Sequence, residues 1–177
     1  LAGARRPVVV LGSGVWQGDA VEQARTLVEA RNLPVVANGM ARGVLGPGDP
    51  HLVTRARSKA FAGADLVVVV GTALDFRLGF GVFGDPPAPV VHVTESALDG
   101  APQAACSVVG SLSAALIALA DGPPADPTWT ADLRAAALAA IAADEPLLTS
   151  DADPIHPARI YGELRSRLTP DSIVVGD

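Results

Sequence analysis

The 177 residues are enough for about one domain. Of these residues 49% are apolar but only 4% are aromatic, so the core must consist mainly of Val, Leu, Ile and Ala. The net charge of −6, from 19 acidic and 13 basic residues, argues against a nucleic-acid or anionic-membrane surface, since no basic excess exists to displace counterions. The single cysteine, Cys106, excludes an intramolecular disulfide and a cysteine-based zinc site, and is typical of the reducing cytoplasm. Its apolar context, AACSVVG, predicts a buried thiol.

The first part of the chain predicts a strand, a helix and a second strand. PVVVLGSG, residues 7–14, predicts a buried strand that closes in a glycine turn. Apolar residues recur at helical spacing over residues 19–31, and Asp19 is available as the N-cap of that helix. LPVVANG predicts the second strand, whereas the glycines and prolines of residues 40–50 predict a loop without regular structure.

A short amphipathic helix is predicted over roughly residues 55–62, and it leads into a third strand in LVVVVGTAL. APVVHVTE and CSVVG predict strands four and five, followed by a helix over residues 111–120. The strands alternate with helices, which predicts a parallel sheet with right-handed crossovers, although the Gly/Pro loop before strand four leaves little room for a helix. The predicted fold class is therefore α/β: a Rossmann-like three-layer sandwich with a mostly parallel sheet of five to six strands.

Three segments make up the predicted domain organisation. Residues 1–121 form the Rossmann-like domain, and residues 122–170 form a linker with two connecting helices. The first of these helices is alanine-rich and covers residues 129–145, and the second is opened by Pro157. Residues 171–177 contain the apolar stretch SIVVGD and begin a further domain. Because the chain also lacks an initiator Met, we expect a piece of a longer protein, and no signal peptide is visible in it.

The glycine turn Gly12-Ser13-Gly14 is the first candidate binding site. Glycines between a strand and a helix let backbone N–H groups approach a phosphate. The third glycine of the dinucleotide fingerprint would fall at Gln17, however, and no acidic residue ends strand two to hold a ribose hydroxyl. A simple tight turn is the alternative, and the sequence favours it.

A second group of candidates follows strands three and four. Gly71 ends strand three, Asp75 and Arg77 lie just beyond it, and Glu95 ends strand four. The carboxyl ends of parallel strands are where open α/β sheets bind ligands, so Arg77 either faces a nucleotide or forms an ion pair with a nearby aspartate. His92 lies between valines and is predicted to be a core histidine with satisfied polar atoms. No combination of side chains predicts catalysis or metal binding.

Four stretches, taken in order, resemble the central domain of thiamine-diphosphate-dependent enzymes of the acetolactate synthase family: RRPVVVLGSGVW, LPVVANGMARGVLGPGDPHL, ADLVVVVGTALDFRLGFG and VVHVTES. In that family the third stretch commonly reads ADLVL-x-x-G-A-R, followed by an acidic residue and a further Arg. SIVVGD is similar to the start of the next domain, so the resemblance covers nearly the whole chain. GTALDFRLGFG is also similar to the oxalyl-CoA decarboxylase and 2-hydroxyacyl-CoA lyase branch.

This resemblance implies an intact enzyme that decarboxylates a 2-oxo acid and joins the remainder to a second carbonyl. Its thiamine diphosphate and Mg²⁺ would bind in the N-terminal and C-terminal domains of the same chain, outside these residues. Its active site would form between subunits of a homodimer or homotetramer. Neither the family's activating glutamate nor its magnesium-binding segment is present here, so the resemblance implies that the 177 residues alone are catalytically silent.

Many members of the family hold FAD, or the ADP part of CoA, in this domain. The resemblance transfers cofactor-binding positions to Gly12, Gly14, Gly71, Asp75, Arg77 and, displaced by one residue, Glu95. Ala73, Thr94 and Ser111 stand where the family has polar partners that this chain lacks. Each lost charge-assisted hydrogen bond is worth about 1.5–3 kcal/mol, so we expect FAD, ADP and CoA to bind poorly or not at all.

Two alternatives remain open. The first is the CoA- or ADP-binding central domain of a 2-hydroxyacyl-CoA lyase or oxalyl-CoA decarboxylase, for which CoA binding is the test. The second is a stand-alone FAD- or nucleotide-binding module. The linker helices and the trailing SIVVGD count against it, since such a module has no need of them.

Overall fold

The computed structural model describes residues 1, 3–97, 103–169 and 171–175. Its sheet contains five strands, namely β1 Pro7–Leu11, β2 Val35–Ala37, β3 Leu66–Val70, β4 Val90–Thr94 and β5 Cys106–Val109. The strands lie in the order β2-β1-β3-β4-β5, and every pairing between them is parallel. The predicted α/β class with a parallel sheet is confirmed.

Six α-helices accompany the sheet in the described residues: α1 Ser13–Gln17, α2 Val21–Arg31, α3 Arg57–Gly63, α4 Leu112–Ala120, α5 Pro127–Leu148 and α6 Pro157–Arg165. Three 3₁₀ helices cover Gly39–Gly43, Thr54–Ala56 and Phe76–Gly81. None of the described helices is long and apolar enough to cross a lipid bilayer.

Both faces of β1 and β3 are buried, which explains the nearly continuous valine runs of these central strands. Successive residues of a strand point to opposite faces. Val9 and Leu11 of β1 belong to the core cluster that contains residues of α2 and α4, whereas Val8 and Val10 belong to the cluster that contains residues of α3 and α5. The sheet is therefore the middle layer of three, as predicted.

The start of α2 differs from the prediction. Asp19 is not its N-cap, because Ala20 holds that position and Asp19 has a left-handed backbone with φ of +50°. The reason is the short helix α1, which pattern reasoning did not predict. The chain leaves α1 in a tight turn in which the Asp19 amide donates to the Trp16 carbonyl. Aspartate tolerates this left-handed conformation better than most residues.

The loop predicted for residues 40–50 contains a regular element after all. The 3₁₀ helix Gly39–Gly43 extends into it, and the amide of Ala41 donates to the Asn38 carbonyl at 3.2 Å. A 3₁₀ turn needs only hydrogen bonds between residues three apart, so a stretch rich in glycine can form it where an α-helix would be too costly.

The prediction of a buried Cys106 is wrong, because this thiol is exposed. All four residues of β5 are exposed. Within the described residues β5 pairs only with β4, and none of its residues belongs to either core cluster, so its apolar residues lack the cover that the other strands have.

Contacts divide the chain into a first unit, Leu1–Ala137, and a second unit, Leu138–Asp177. In the first unit, the indole of Trp129 near the start of α5 donates from Nε1 to the Pro7 carbonyl at 3.0 Å. Leu133, one helical turn further along, is also fully buried.

The buried guanidinium of Arg31, at the end of α2, connects to the segment that follows α4. It donates to the carbonyls of Leu119, Asp121 and Pro123 at 2.9, 2.7 and 2.6 Å. Because the last carbonyls of a helix have no intrahelical partner, this cation both caps α4 and holds the chain beyond it.

The second unit contains the rest of α5 and helix α6. Pro157 occupies the start of α6 as predicted, and His156 caps that helix by accepting from the Ala158 amide. Arg159 forms ion pairs with Asp151 and Glu163. Residues 172–175, in the stretch predicted to begin a further domain, form neither a strand nor a helix.

Candidate functional site

A cleft of about 320 Å³ opens at the carboxyl edge of the sheet, where β1, β3 and β4 end. Twelve residues line it: Ser13, Gly14, Gln17, Asn38, Gly39, Gly71, Thr72, Arg77, Thr94, Glu95, Ser96 and Leu112. The structure thus brings together four of the six candidate residues, while Gly12 and Asp75 are not part of this lining. This edge is where open parallel sheets bind ligands, so the cleft is the candidate site of the domain.

The three candidate glycines form a close contact between two turns of the chain. A Cβ on Gly12 would lie 2.6 Å from the Gly71 carbonyl oxygen, and a Cβ on Gly14 would lie 2.9 Å from the Gly71 Cα. Gly71 itself has a φ of +66°, which residues with side chains rarely adopt. The turn after β1 therefore packs directly against the turn after β3, and side chains are excluded from this contact.

The amides of the two glycines in the turn are used inside the protein. The amide of Gly12 donates to the Val70 carbonyl at 2.8 Å, and the amide of Gly14 donates to the Gly71 carbonyl at the same distance. The Val15 amide donates to the Gly12 carbonyl at 3.1 Å. A phosphate-binding glycine turn needs such N–H groups to face the ligand. Here they bind neighbouring carbonyls.

Asp75 and Arg77 form an ion pair with each other. Arg77 Nε lies 3.0 Å and Nη2 lies 2.5 Å from Asp75 Oδ2, and the Arg77 amide donates to Asp75 Oδ1 at 2.9 Å. Asp75 thereby caps the 3₁₀ helix Phe76–Gly81. The side-chain hydrogen bond between them lowers the pKa of Asp75 and raises the pKa of Arg77. Of the two possible roles for Arg77, the structure shows the ion pair.

Glu95 follows β4 and is exposed at the cleft. Its carboxylate lies against Gly18, since a Cβ on that glycine would be 3.0 Å from Glu95 Oε2. No described cation forms an ion pair with it. Glu95 therefore contributes a negative charge to the cleft that no ion pair neutralises.

His92 lies in the core, as predicted. It is fully buried in β4, and its Nε2 lies 2.9 Å from the carbonyl oxygen of Thr72, which lines the cleft. Its Nδ1 is buried and has no hydrogen-bond partner in the described part of the chain, so only one of its two ring nitrogens is satisfied. The buried His92 ring thus fixes the position of the Thr72 carbonyl at the cleft.

Pattern reasoning missed the contribution of Ser13 and Asn38 to the cleft. Ser13 Oγ accepts a hydrogen bond from the Met40 amide at 3.1 Å, which joins the turn after β1 to the segment after β2. The signal was present, since Asn38 and Gly39 follow strand two directly.

Comparison with known proteins identifies the family. The family described as "Thiamine pyrophosphate enzyme, central domain" matches residues 1–119. The chain belongs to this family. The match covers more than half of the chain and includes every strand of the sheet and the cleft.

Several individual proteins are similar to this chain in sequence. The probable acetolactate synthase of Mycobacterium bovis and the acetolactate synthase large subunit IlvG of Mycobacterium tuberculosis are each 42% identical over 181 residues, covering 100% of this chain and 33% of the relative. The human 2-hydroxyacyl-CoA lyase 2 is 33% identical over 146 residues, which is 77% of this chain and 23% of that protein. The chain therefore spans about a third of the length of the acetolactate synthases that it matches.

The residues present do not fit the diphosphate of FAD, ADP or CoA, which the resemblance places in this domain. The glycine amides bind carbonyls, Arg77 binds Asp75, and Glu95 adds a negative charge. The described residues also contain no group of three or more His, Cys, Asp or Glu side chains that could hold a metal ion. The geometry shows a polar cleft at the carboxyl edge of the sheet.

Proposed function

We propose that the chain is the central domain of an acetolactate-synthase-like enzyme that depends on thiamine diphosphate. The observation that carries this proposal is the 42% identity to two acetolactate synthases along the whole chain, including the part beyond residue 119 where the family match ends. In the intact protein the reaction would decarboxylate a 2-oxo acid and transfer the remaining carbanion equivalent to a second carbonyl.

The central domain itself is proposed to be catalytically silent. Thiamine diphosphate and Mg²⁺ would be held by the N-terminal and C-terminal domains of the intact chain, and the intact enzyme would be a homodimer or homotetramer in the cytoplasm. The structure supports a scaffolding role, because both faces of the sheet are packed and the first half of α5 is anchored to β1 through Trp129 and Pro7. The single cysteine, which leaves no intramolecular disulfide, supports the location.

The second candidate is the central domain of a 2-hydroxyacyl-CoA lyase or oxalyl-CoA decarboxylase. It is favoured by 33% identity to human 2-hydroxyacyl-CoA lyase 2 and to the oxalyl-CoA decarboxylase of Escherichia coli. These matches cover 77% and 66% of this chain, whereas the acetolactate synthases match all of it. Coverage and identity therefore both favour the first candidate.

A domain exchange tests the proposal. The matching segment of the Mycobacterium tuberculosis acetolactate synthase is replaced by these 177 residues, and acetolactate formation from pyruvate is measured with thiamine diphosphate and Mg²⁺ supplied. The matched control is the same exchange with the corresponding segment of the Escherichia coli oxalyl-CoA decarboxylase. We expect the activity of the first exchange to lie within about tenfold of the parent enzyme, which corresponds to a change of about 1.4 kcal/mol in the activation barrier. The control exchange should lose more activity than that.

Two results would contradict the proposal separately. If the first exchange folds and assembles but is no more active than the control, the acetolactate synthase assignment is wrong. If the isolated 177 residues form acetolactate from pyruvate under the same conditions, the assignment of catalytic silence is wrong.

A further inference from the structure

We propose that Asp75 and Glu95 make the cleft select against diphosphates, so that it does not hold FAD, ADP or CoA. This inference rests on the geometry of the cleft and goes beyond the proposed function, because it names the two carboxylates that set the ligand preference. It also predicts a negative result for CoA binding, the test of the second candidate function.

The amides of the two glycines in the glycine turn are already hydrogen-bonded, so neither is free to bind a phosphate. Both amides, of Gly12 and Gly14, lie 2.8 Å from carbonyl oxygens of the turn after β3. Turning them toward a ligand would separate the two turns, which the close approach of Gly14 and Gly71 prevents. A bound diphosphate could therefore not use these two amides and would depend on other donors at the cleft, cationic side chains among them.

Arg77 is the only cationic side chain among the described residues that line the cleft. The Asp75 carboxylate already occupies its guanidinium through Nε and Nη2. A carboxylate and a phosphate oxygen bind the planar guanidinium in the same way, so Asp75 takes the place of a ligand phosphate. Because the Arg77 amide also donates to Asp75, the aspartate is held in that place by the backbone.

Glu95 acts on the charge of the whole cleft. The charges of Arg77 and Asp75 compensate each other, and Glu95, which no described cation pairs with, leaves the cleft with a net negative charge. An incoming diphosphate is then repelled, whereas an uncharged ligand of similar size is not. The repulsion is strongest at low ionic strength, where screening is weak.

The experiment compares ADP with adenosine, which lacks the two phosphates. Binding of each to the 177-residue chain is measured by isothermal titration calorimetry at low salt, for the wild type and for the variant Asp75→Asn/Glu95→Gln. Asparagine retains the oxygen that caps the 3₁₀ helix, and thermal unfolding confirms that the variant is folded. The matched control is Glu22→Gln/Asp151→Asn, which removes two carboxylates from exposed ion pairs outside the cleft.

We expect the wild type to bind ADP with a Kd above about 1 mM. The Kd of the cleft variant for ADP should be at least about tenfold lower than the Kd of the wild type. Adenosine binding should be equal in all three proteins. Glu95→Gln alone removes one exposed charge without touching the ion pair, and it should tighten ADP binding about threefold.

Three results would overturn the proposal: micromolar binding of ADP or FAD to the wild type, a folded cleft variant with no gain for ADP, or an equal gain in the control variant.

Discussion

Gly14 and Gly71 join the ends of β1 and β3 through a direct backbone contact. The Gly14 amide donates to the Gly71 carbonyl at 2.8 Å, and a Cβ on Gly14 would lie 2.9 Å from the Gly71 Cα. A glycine after the first strand of an α/β sheet suggests a phosphate site, but here it serves the packing of two turns. This contact therefore has consequences for stability.

The substitution Gly14→Ala is expected to lower the free energy of unfolding by about 1–3 kcal/mol, because the new methyl group can be admitted only if the turn after β3 moves. Urea unfolding followed by circular dichroism measures the change. The matched control is Gly46→Ala, where nothing lies within 4 Å of the new Cβ, and its stability should be unchanged or slightly higher. If Gly14→Ala were as stable as the wild type, the turns after β1 and β3 would not pack this closely in solution.

The substitution Trp129→Phe should cost about 1–3 kcal/mol of stability. It removes the buried Nε1–H that donates to the Pro7 carbonyl at 3.0 Å and leaves that carbonyl without its donor. The same substitution at Trp16, which is 59% exposed, is the control and should have little effect. If both variants unfold at the same urea concentration, the indole hydrogen bond does not stabilise the domain.

The substitution Arg31→Met should lower the free energy of unfolding by about 2–4 kcal/mol, which is more than the loss expected for Trp129→Phe. The reason is that three carbonyls lose one buried charged donor at once. Arg31→Lys should recover part of the loss, since an ammonium group can reach fewer of these carbonyls. Arg42→Met, at an exposed arginine, is the matched control. Thermal unfolding of the three variants checks the order of stability, and a Met variant as stable as the control would refute the capping role of Arg31.

The Asp75 carboxyl should titrate below its ordinary pKa of 3.8, because the hydrogen bond from Arg77 stabilises its charged form. A group with a lowered pKa contributes stability above its unfolded-state pKa, and the contribution is lost as the pH falls through the folded-state pKa. For this exposed pair the contribution is small. In Arg77→Met the pKa of Asp75 should rise toward 3.8, as followed by NMR of the side-chain carboxyl carbon.

Asp126 provides the internal control for this titration. Its pKa is also lowered, by the hydrogen bonds from Thr128, and it should not change in Arg77→Met. If the pKa of Asp75 were the same in wild type and variant, Arg77 would not be its partner in solution.

The amino-acid sequence by itself determined the parallel α/β sheet and the family. Uninterrupted valine runs separated by helical periods can bury both faces of each strand only in a parallel sheet covered on both sides, so the pattern is informative without knowledge of contacts. The sequence also placed Arg77 and Glu95 at the carboxyl edge, because the ends of parallel strands meet there.

Only the tertiary structure decided what those residues do. Whether Arg77 meets a phosphate or Asp75, and whether the amide of Gly14 faces a ligand or the Gly71 carbonyl, depends on how two distant turns approach each other. The exposure of Cys106 likewise depends on what packs over β5, since an apolar strand has the same local pattern whether or not its faces are covered. Local periodicity reports which residues are apolar, whereas burial and pairing are set by neighbours that are remote along the chain.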